Sequence, residues 1–130
     1  MKHTPVAIGL QLCRDYIVEE GSRNVTLVKC FHQIQSASFP LKIHPLALAA
    51  RLTDGQGELQ LSVVVCQLAT MKEAIVKAVK VQLNDRLANY WFLARASKVT
   101  LPVEGLYQFV LLSDGELVGQ CTLEALILED

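Results

Sequence analysis

Along most of the chain apolar and polar residues alternate with a period of two, the pattern of a strand that turns one face to a core. The alternation is sharpest at Glu58 to Cys66, where Leu59, Leu61, Val63 and Val65 share one face and Glu58, Gln60 and Ser62 the other. Leu46 to Leu52 repeats it, with Leu46, Leu48, Ala50 and Leu52 set against Ala47, Ala49 and Arg51. Asp54-Gly55-Gln56-Gly57 joins the two as a turn. Leu101 to Leu123 reads as a strand, a reversal at Asp114-Gly115 and a returning strand, because a two-residue type I′ loop needs positive φ at both central positions and Asp-Gly tolerates that. This register faces Ser113 with Glu116, Leu112 with Leu117 and Leu111 with Val118. Ahead of it, Glu104-Gly105-Leu106-Tyr107 supports two readings. One is a tyrosine corner, in which the Tyr hydroxyl bonds backbone upstream, and the other is a half-buried strand aromatic.

In the first half, residues 7 to 19 predict a strand, Glu19 to Asn24 a turn, and Val25 to Ile34 a second strand. A hairpin centred between Gly21 and Ser22 puts Cys13 opposite Cys30 and Tyr16 opposite Leu27, unless a bulge in the first strand shifts the register. Residues 35 to 45 hold two prolines and read as a connection crossing between sheets, with Phe39 at the core edge. Residues 69 to 83 fit a helix, through a Thr70/Glu73 capping box and the spacing of Met71, Ile75, Ala78 and Val79. They fit a strand as well, and their density of β-branched residues favours it. Residues 89 to 100 form a strand with Trp91 on one face and Tyr90 and Phe92 on the other. The sum is about eight strands with no interleaved long helices. It predicts an all-β fold: one antiparallel two-layer β-sandwich domain over residues 1–130, immunoglobulin-like or jelly-roll-like, with a short helix at 69–83 as the alternative.

Composition sharpens this in two ways. With 130 residues, 52% hydrophobic and 19% charged, the chain can fill a real core and retain apolar surface for an oligomer. Twelve basic against thirteen acidic residues, without a like-charged run, argue against a nucleic-acid groove or an anionic membrane partner. No apolar run exceeds five residues, and the N-terminus lacks a cleavage pattern, so the expectation is a cytoplasmic protein whose Cys13, Cys30, Cys66 and Cys121 are free thiols.

Several short stretches together resemble a family. They are Cys13-Arg14-Asp15-Tyr16-Ile17-Val18-Glu19-Glu20-Gly21, Ser38-Phe39-Pro40 before His44-Pro45, Arg51-Leu52-Thr53 before a Gly turn, and Pro102 to Tyr107 before Asp114-Gly115-Glu116-Leu117. The set resembles small bacterial β-sandwich proteins known only as a domain of unknown function. The likeness covers most of the chain and is weakest at residues 66 to 88. It implies a bacterial cytosolic sandwich and carries no catalytic residue or cofactor with it. Val103 departs from the pattern, which favours an acidic or helix-breaking residue there.

Candidate chemistry is sparse. Cys30 and His32 share a strand face and Cys13 stands opposite, so Cys13, Cys30 and His32 are the candidate metal ligands, against a reading as core thiols beside a surface His. A thiol-dependent enzyme would need one of His3, His32 and His44 beside Cys13 or Cys30, which spacing does not provide. His44 before Pro45 reads as a turn residue and His3 as part of a frayed end. Asp15, Glu19 and Glu20 read as a solvated turn. No Walker, Rossmann, HExxH or GxSxG motif is present, and no cofactor is expected. Ser62 to Cys66, Asn89 to Ala94 and Phe109 to Leu112 are apolar on both faces, which calls for a cover, either residues 69–83 as a helix or a second subunit in a homodimer. The first functional reading is therefore a non-catalytic interaction or assembly module with an unidentified partner or a second copy. The second is a small-ligand sandwich, for example one binding carbohydrate, with Tyr90, Trp91 and Phe92 as a stacking platform.

Overall fold

The computed structural model of the protein describes residues 2–96 and 99–128. Its strands in chain order are β1 (Val6–Cys13), β2 (Asp15–Val18), β3 (Val25–Val28), β4 (Gln33–Ser36), β5 (Leu41–Ile43), β6 (Leu46–Thr53), β7 (Gly57–Gln67), β8 (Lys72–Leu83), β9 (Tyr90–Ala96), β10 (Val99–Leu101), β11 (Gly105–Ser113) and β12 (Glu116–Ile127). Among the described residues there is no helix. One layer is the sheet β1-β6-β9 and the other is β4-β12-β11-β7-β8. β10 and β5 form a small ribbon, and β2 and β3 a separate hairpin. All ladders are antiparallel except β4 with β12.

The alternation predicted for β6 and β7 sets the core. Leu46, Leu48, Ala50 and Leu52 meet Leu61, Val63 and Val65 across the two layers, with Phe92, Tyr107, Phe109, Leu111 and Leu123 filling between. Residues 69–83 resolve as strand: Leu68 to Met71 turn the chain and β8 follows. The capping box gives way because Ile75, Val79 and Val81 pair with Val64, Leu61 and Leu59 of β7 on either side of a bulge. The two layers approach closely where β1 passes β12. A Cβ on Gly119 would stand 3.0 Å from the Ala7 Cβ, so the glycine permits the contact.

The C-terminal hairpin turns at Asp114 (φ 48°) and Gly115 (φ 85°), as a type I′ loop requires. Ser113 faces Glu116 and Leu112 faces Leu117, but Leu111 faces Gly119 because a bulge at Val118 intervenes. The corner also forms. Tyr107 Oη donates to Val103 O at 2.6 Å and accepts from Val103 N–H at 3.2 Å, so the departure at position 103 leaves the corner intact.

Other expectations change. The run 7–19 is split at Arg14 into β1 and β2, and β1 carries its bulge at Gly9 (φ 65°), upstream of the hairpin. Tyr16 therefore does pair with Leu27. The stretch 35–45 does carry the chain from the larger sheet, at β4, to the smaller one, at β6, with β5 formed within it, and residues 29–32, where Lys29 takes φ 54°, make a further crossing from the β2–β3 hairpin to β4. Phe39 packs at the core edge. Ser97 and Lys98, inside the strand predicted at 89–100, lie outside the described residues. His3 is tied down: it exchanges two backbone hydrogen bonds with Gln56, and its Nδ1 lies 2.7 Å from Asp54 O.

β8 is the long edge strand of the larger sheet, and the four-residue β4 stands at the other edge. Its ladder with β7 is broken by a bulge at Val76, and Lys77 stands opposite the core residue Val63.

Candidate functional site

The outer face of the β1-β6-β9 sheet is covered by the chain itself. Ala47 and Ala49 on that face are fully buried, and the β2–β3 hairpin lies beside β9. Arg95 holds it there. Its Nε donates to Asp15 Oδ1 at 2.9 Å, its NH2 to Tyr16 O at 3.2 Å, and the guanidinium sits 4.0 Å from the Tyr16 ring centroid. Asp15 is held below the usual carboxylate range, first by the hydrogen bond from Tyr16 N–H at 2.8 Å and then by Arg95. Arg14 fastens the base of the hairpin, donating to Pro45 O at 3.1 Å and covering the Phe31 ring at 4.8 Å.

Toward the hairpin tip the two elements part and leave a cleft of about 240 Å³. Val18, Arg23 and Val25 form the hairpin wall, and Asn89, Tyr90, Trp91 and Leu93 the β9 wall. Tyr90 and Trp91 are each 37% exposed, whereas Phe92 turns into the core at 2%. The three aromatics therefore do not make one platform. Strand alternation sends Phe92 inward, and Tyr90 stays open only because it begins the strand. The cleft offers a guanidinium, a carboxamide and two aromatic rings, which can hold and orient a small polar molecule.

The structure brings Cys13 and Cys30 together across the strands, between the backbone bonds Arg14 N–H to Val28 O and Phe31 N–H to Leu12 O, while Cys13 Sγ itself donates to Ala47 O at 3.7 Å. Burial pushes the Cys13 thiol up to about 11, with Cys30 and Asp15 adding to the shift. His32 does not complete a metal site with them: among the described residues no group of three or more His, Cys, Asp or Glu is placed to hold a metal ion. The thiol of Cys121 is likewise raised to about 11 by burial.

The outer face of the five-stranded sheet has no such cover. Ile75, Val64 and Val110 stand side by side across β8, β7 and β11, and the next row on the same face is Ala78, Ser62, Leu112 and Leu117. Ile75 is 75% and Leu117 59% exposed. Glu73 and Lys80 bound this patch on β8, two residues beyond Ile75 and Ala78 respectively.

Sequence reasoning did not find Arg23 or Arg95. Arg95 follows Trp91 and Leu93 at the two-residue spacing of one strand face, a signal that marks it as outward but not as the hairpin's anchor.

The profile of a family of unknown function, DUF6941, matches residues 10–126. The chain belongs to this family. No curated protein matches this DUF6941 member. Among solved structures it is similar to the Pseudomonas fluorescens alkylpurine DNA glycosylase AlkC, bound to DNA containing an abasic site analog, at 15% identity and TM-score 0.45. That match covers 72% of this chain and 27% of the glycosylase. It is also similar to an immunoglobulin-like protein from Pseudomonas aeruginosa at 11% identity and TM-score 0.41, over 95% of this chain and 97% of that one. Among the described residues no helix is long and apolar enough to cross a membrane.

Proposed function

We propose that this DUF6941 protein is a non-catalytic assembly module of the bacterial cytoplasm that pairs with a second copy through the outer face of its five-stranded sheet. The observation that carries the reading is the uncovered block of Ile75, Val64, Val110, Leu112 and Leu117, contiguous across four strands. A sheet face of this kind gains stability when another apolar face excludes water from it. The charges around it favour a copy of itself. A two-fold axis in the plane of contact and across the strands reverses strand direction, so Glu73 of one protomer meets Lys80 of the other, twice per dimer. The net charge of −1 opposes this only weakly.

Light scattering at micromolar concentration is the direct test, and a species of 14.4 kDa in solution sinks the reading. Ile75→Lys should convert the dimer to monomer with an unchanged far-UV spectrum. Glu73→Lys should weaken pairing, and the double variant Glu73→Lys with Lys80→Glu should restore it. No recovery in the double variant would reject the antiparallel arrangement.

The cleft supports a second reading, a site for a small ligand such as a saccharide. Tyr90 and Trp91 open onto it beside Arg23 and Asn89, and aromatic faces with planar polar side chains suit sugar rings. Trp91 is the one tryptophan, so its emission reports the cleft without interference. A shift on titration with a sugar panel, lost in Arg23→Ala, supports the reading. An unmoved spectrum across the panel removes it.

A further inference from the structure

We propose that Cys13 and Cys30 are a thiol pair that a small-molecule disulfide converts to an intrachain bond, fastening the β2–β3 hairpin to the end of β1. Cys13 is the last residue of β1 and is fully buried, while Cys30 lies just past β3 and is exposed. Backbone hydrogen bonds bracket the pair on both sides: Arg14 N–H donates to Val28 O at 2.9 Å and Phe31 N–H to Leu12 O at 2.9 Å. Residues held opposite one another in this way have Cα atoms about 4.5–5.5 Å apart. That separation falls inside the range of about 4.4–6.8 Å that a disulfide spans. The two backbone bonds thus set the cysteines as cross-strand neighbours, so closing the bond asks mainly for a side-chain rotation that takes Cys13 Sγ off Ala47 O.

The other two cysteines cannot compete. Cys66 is on β7 and Cys121 on β12, with β11 between them, so they stand about 10 Å apart at the usual strand spacing. They also face opposite sides of the sheet, Cys66 pairing with outward Gln108 and Cys121 with the core residue Phe109.

Exposure fixes the order of events. The Cys30 thiolate attacks one sulfur of a disulfide RSSR, the RS–SR bond breaks, and one thiolate leaves as RSH after taking up the Cys30 proton. Cys13 then gives up its proton, its sulfur attacks Cys30 Sγ in the mixed disulfide, and the second RSH leaves. The reaction sums to two protein thiols and RSSR giving one protein disulfide and two RSH. The buried Cys13, whose thiol ionises reluctantly, suits the second, intramolecular step, where proximity replaces reactivity. The link closes a loop containing the whole hairpin, and with it the Val18, Arg23 and Val25 wall of the cleft. It is independent of self-association, which uses the other sheet.

The test incubates the full chain with oxidised glutathione and counts thiols after unfolding. Four should fall to two, with a mass lower by two hydrogens, one cross-link between the Cys13 and Cys30 peptides, and full recovery with a reductant. Cys13→Ser should stop at the mixed disulfide on Cys30, and the exposed substitution Cys30→Ser should keep its three thiols throughout. Overturning results are four thiols remaining in the wild type, a glutathione adduct that never resolves, a link to Cys66 or Cys121, or loss of Cys13 reactivity to oxidant only when Cys66 or Cys121 is replaced.

Discussion

The carboxylate of Asp114 accepts from Gln60 N–H at 3.0 Å, while Asp114 N–H donates to Gln60 O at 2.9 Å and Lys2 Nζ lies 3.4 Å away. The bond from Gln60 holds its pKa below the usual carboxylate value, with Lys2 helping. A depressed folded-state pKa gives stability that is present above the unfolded value, about 3.9, and lost as pH falls through the folded value. Asp114→Asn should therefore melt below the wild type at neutral pH, and the gap should close as the pH is lowered past about 4. Thermal melts between pH 2 and 7, roughly, read this out; a gap that widens in acid contradicts the assignment. A second residue-scale effect is neutral. Tyr107→Phe removes the corner hydroxyl, and since Val103 is 47% exposed and water can replace part of the loss, the expected cost is about 1 kcal/mol in a denaturant titration. The Asp-Gly loop was legible in the sequence because it acts within a few residues of itself, whereas the equally local Gly-Leu-Tyr stretch left two readings open, between which the Tyr107 hydroxyl bonded to Val103 decides. The Gln60 partnership of Asp114 was not legible, since it spans 54 positions.

At the scale of elements, the alternation in β6 and β7 identified the buried face correctly because burial is what selects it. Leu111→Ala, on the inward row of β11 and fully buried, should cost about 2–5 kcal/mol in chemical denaturation. What alternation did not reveal is where strands stop. β1 and β2 read as one strand in sequence, yet the chain bends at Arg14, whose guanidinium reaches Pro45 O and the Phe31 ring from residues far along the chain. In the same way the hairpin's role as a cover depends on Asp15 meeting Arg95, 80 positions away. Arg95→Ala should loosen that cover without unfolding the sandwich. Hydrogen exchange should speed up at Tyr16 to Val28 while β7 and β11 stay protected, and uniform acceleration would argue that hairpin and sandwich are one cooperative unit.

For the whole molecule, the apolar excess visible in composition is met in two different ways. The smaller sheet is covered by its own hairpin, and the larger sheet leaves Ile75, Val110 and Leu117 uncovered, the face proposed to pair with a second copy. Of the candidate site, Tyr90 and Trp91 were readable from sequence as aromatics on a strand. The cleft they open onto was not, because its other wall arrives from residues 18–25.

The bulge at Val76 and the inward Lys77 bear on how large any assembly can grow. A free edge strand of twelve residues offers unpaired amides to any similar strand, and pairing along it would add copies without limit. A lysine directed at the core position opposite Val63 makes a continuous ladder costly on that side, and the bulge breaks its register. The proposed pairing through the sheet face about a two-fold axis would, by contrast, stop at two copies. Lys77→Val should lift the restriction: turbidity and dye-binding fibrils should appear on prolonged incubation, where the wild type stays clear at the same concentration.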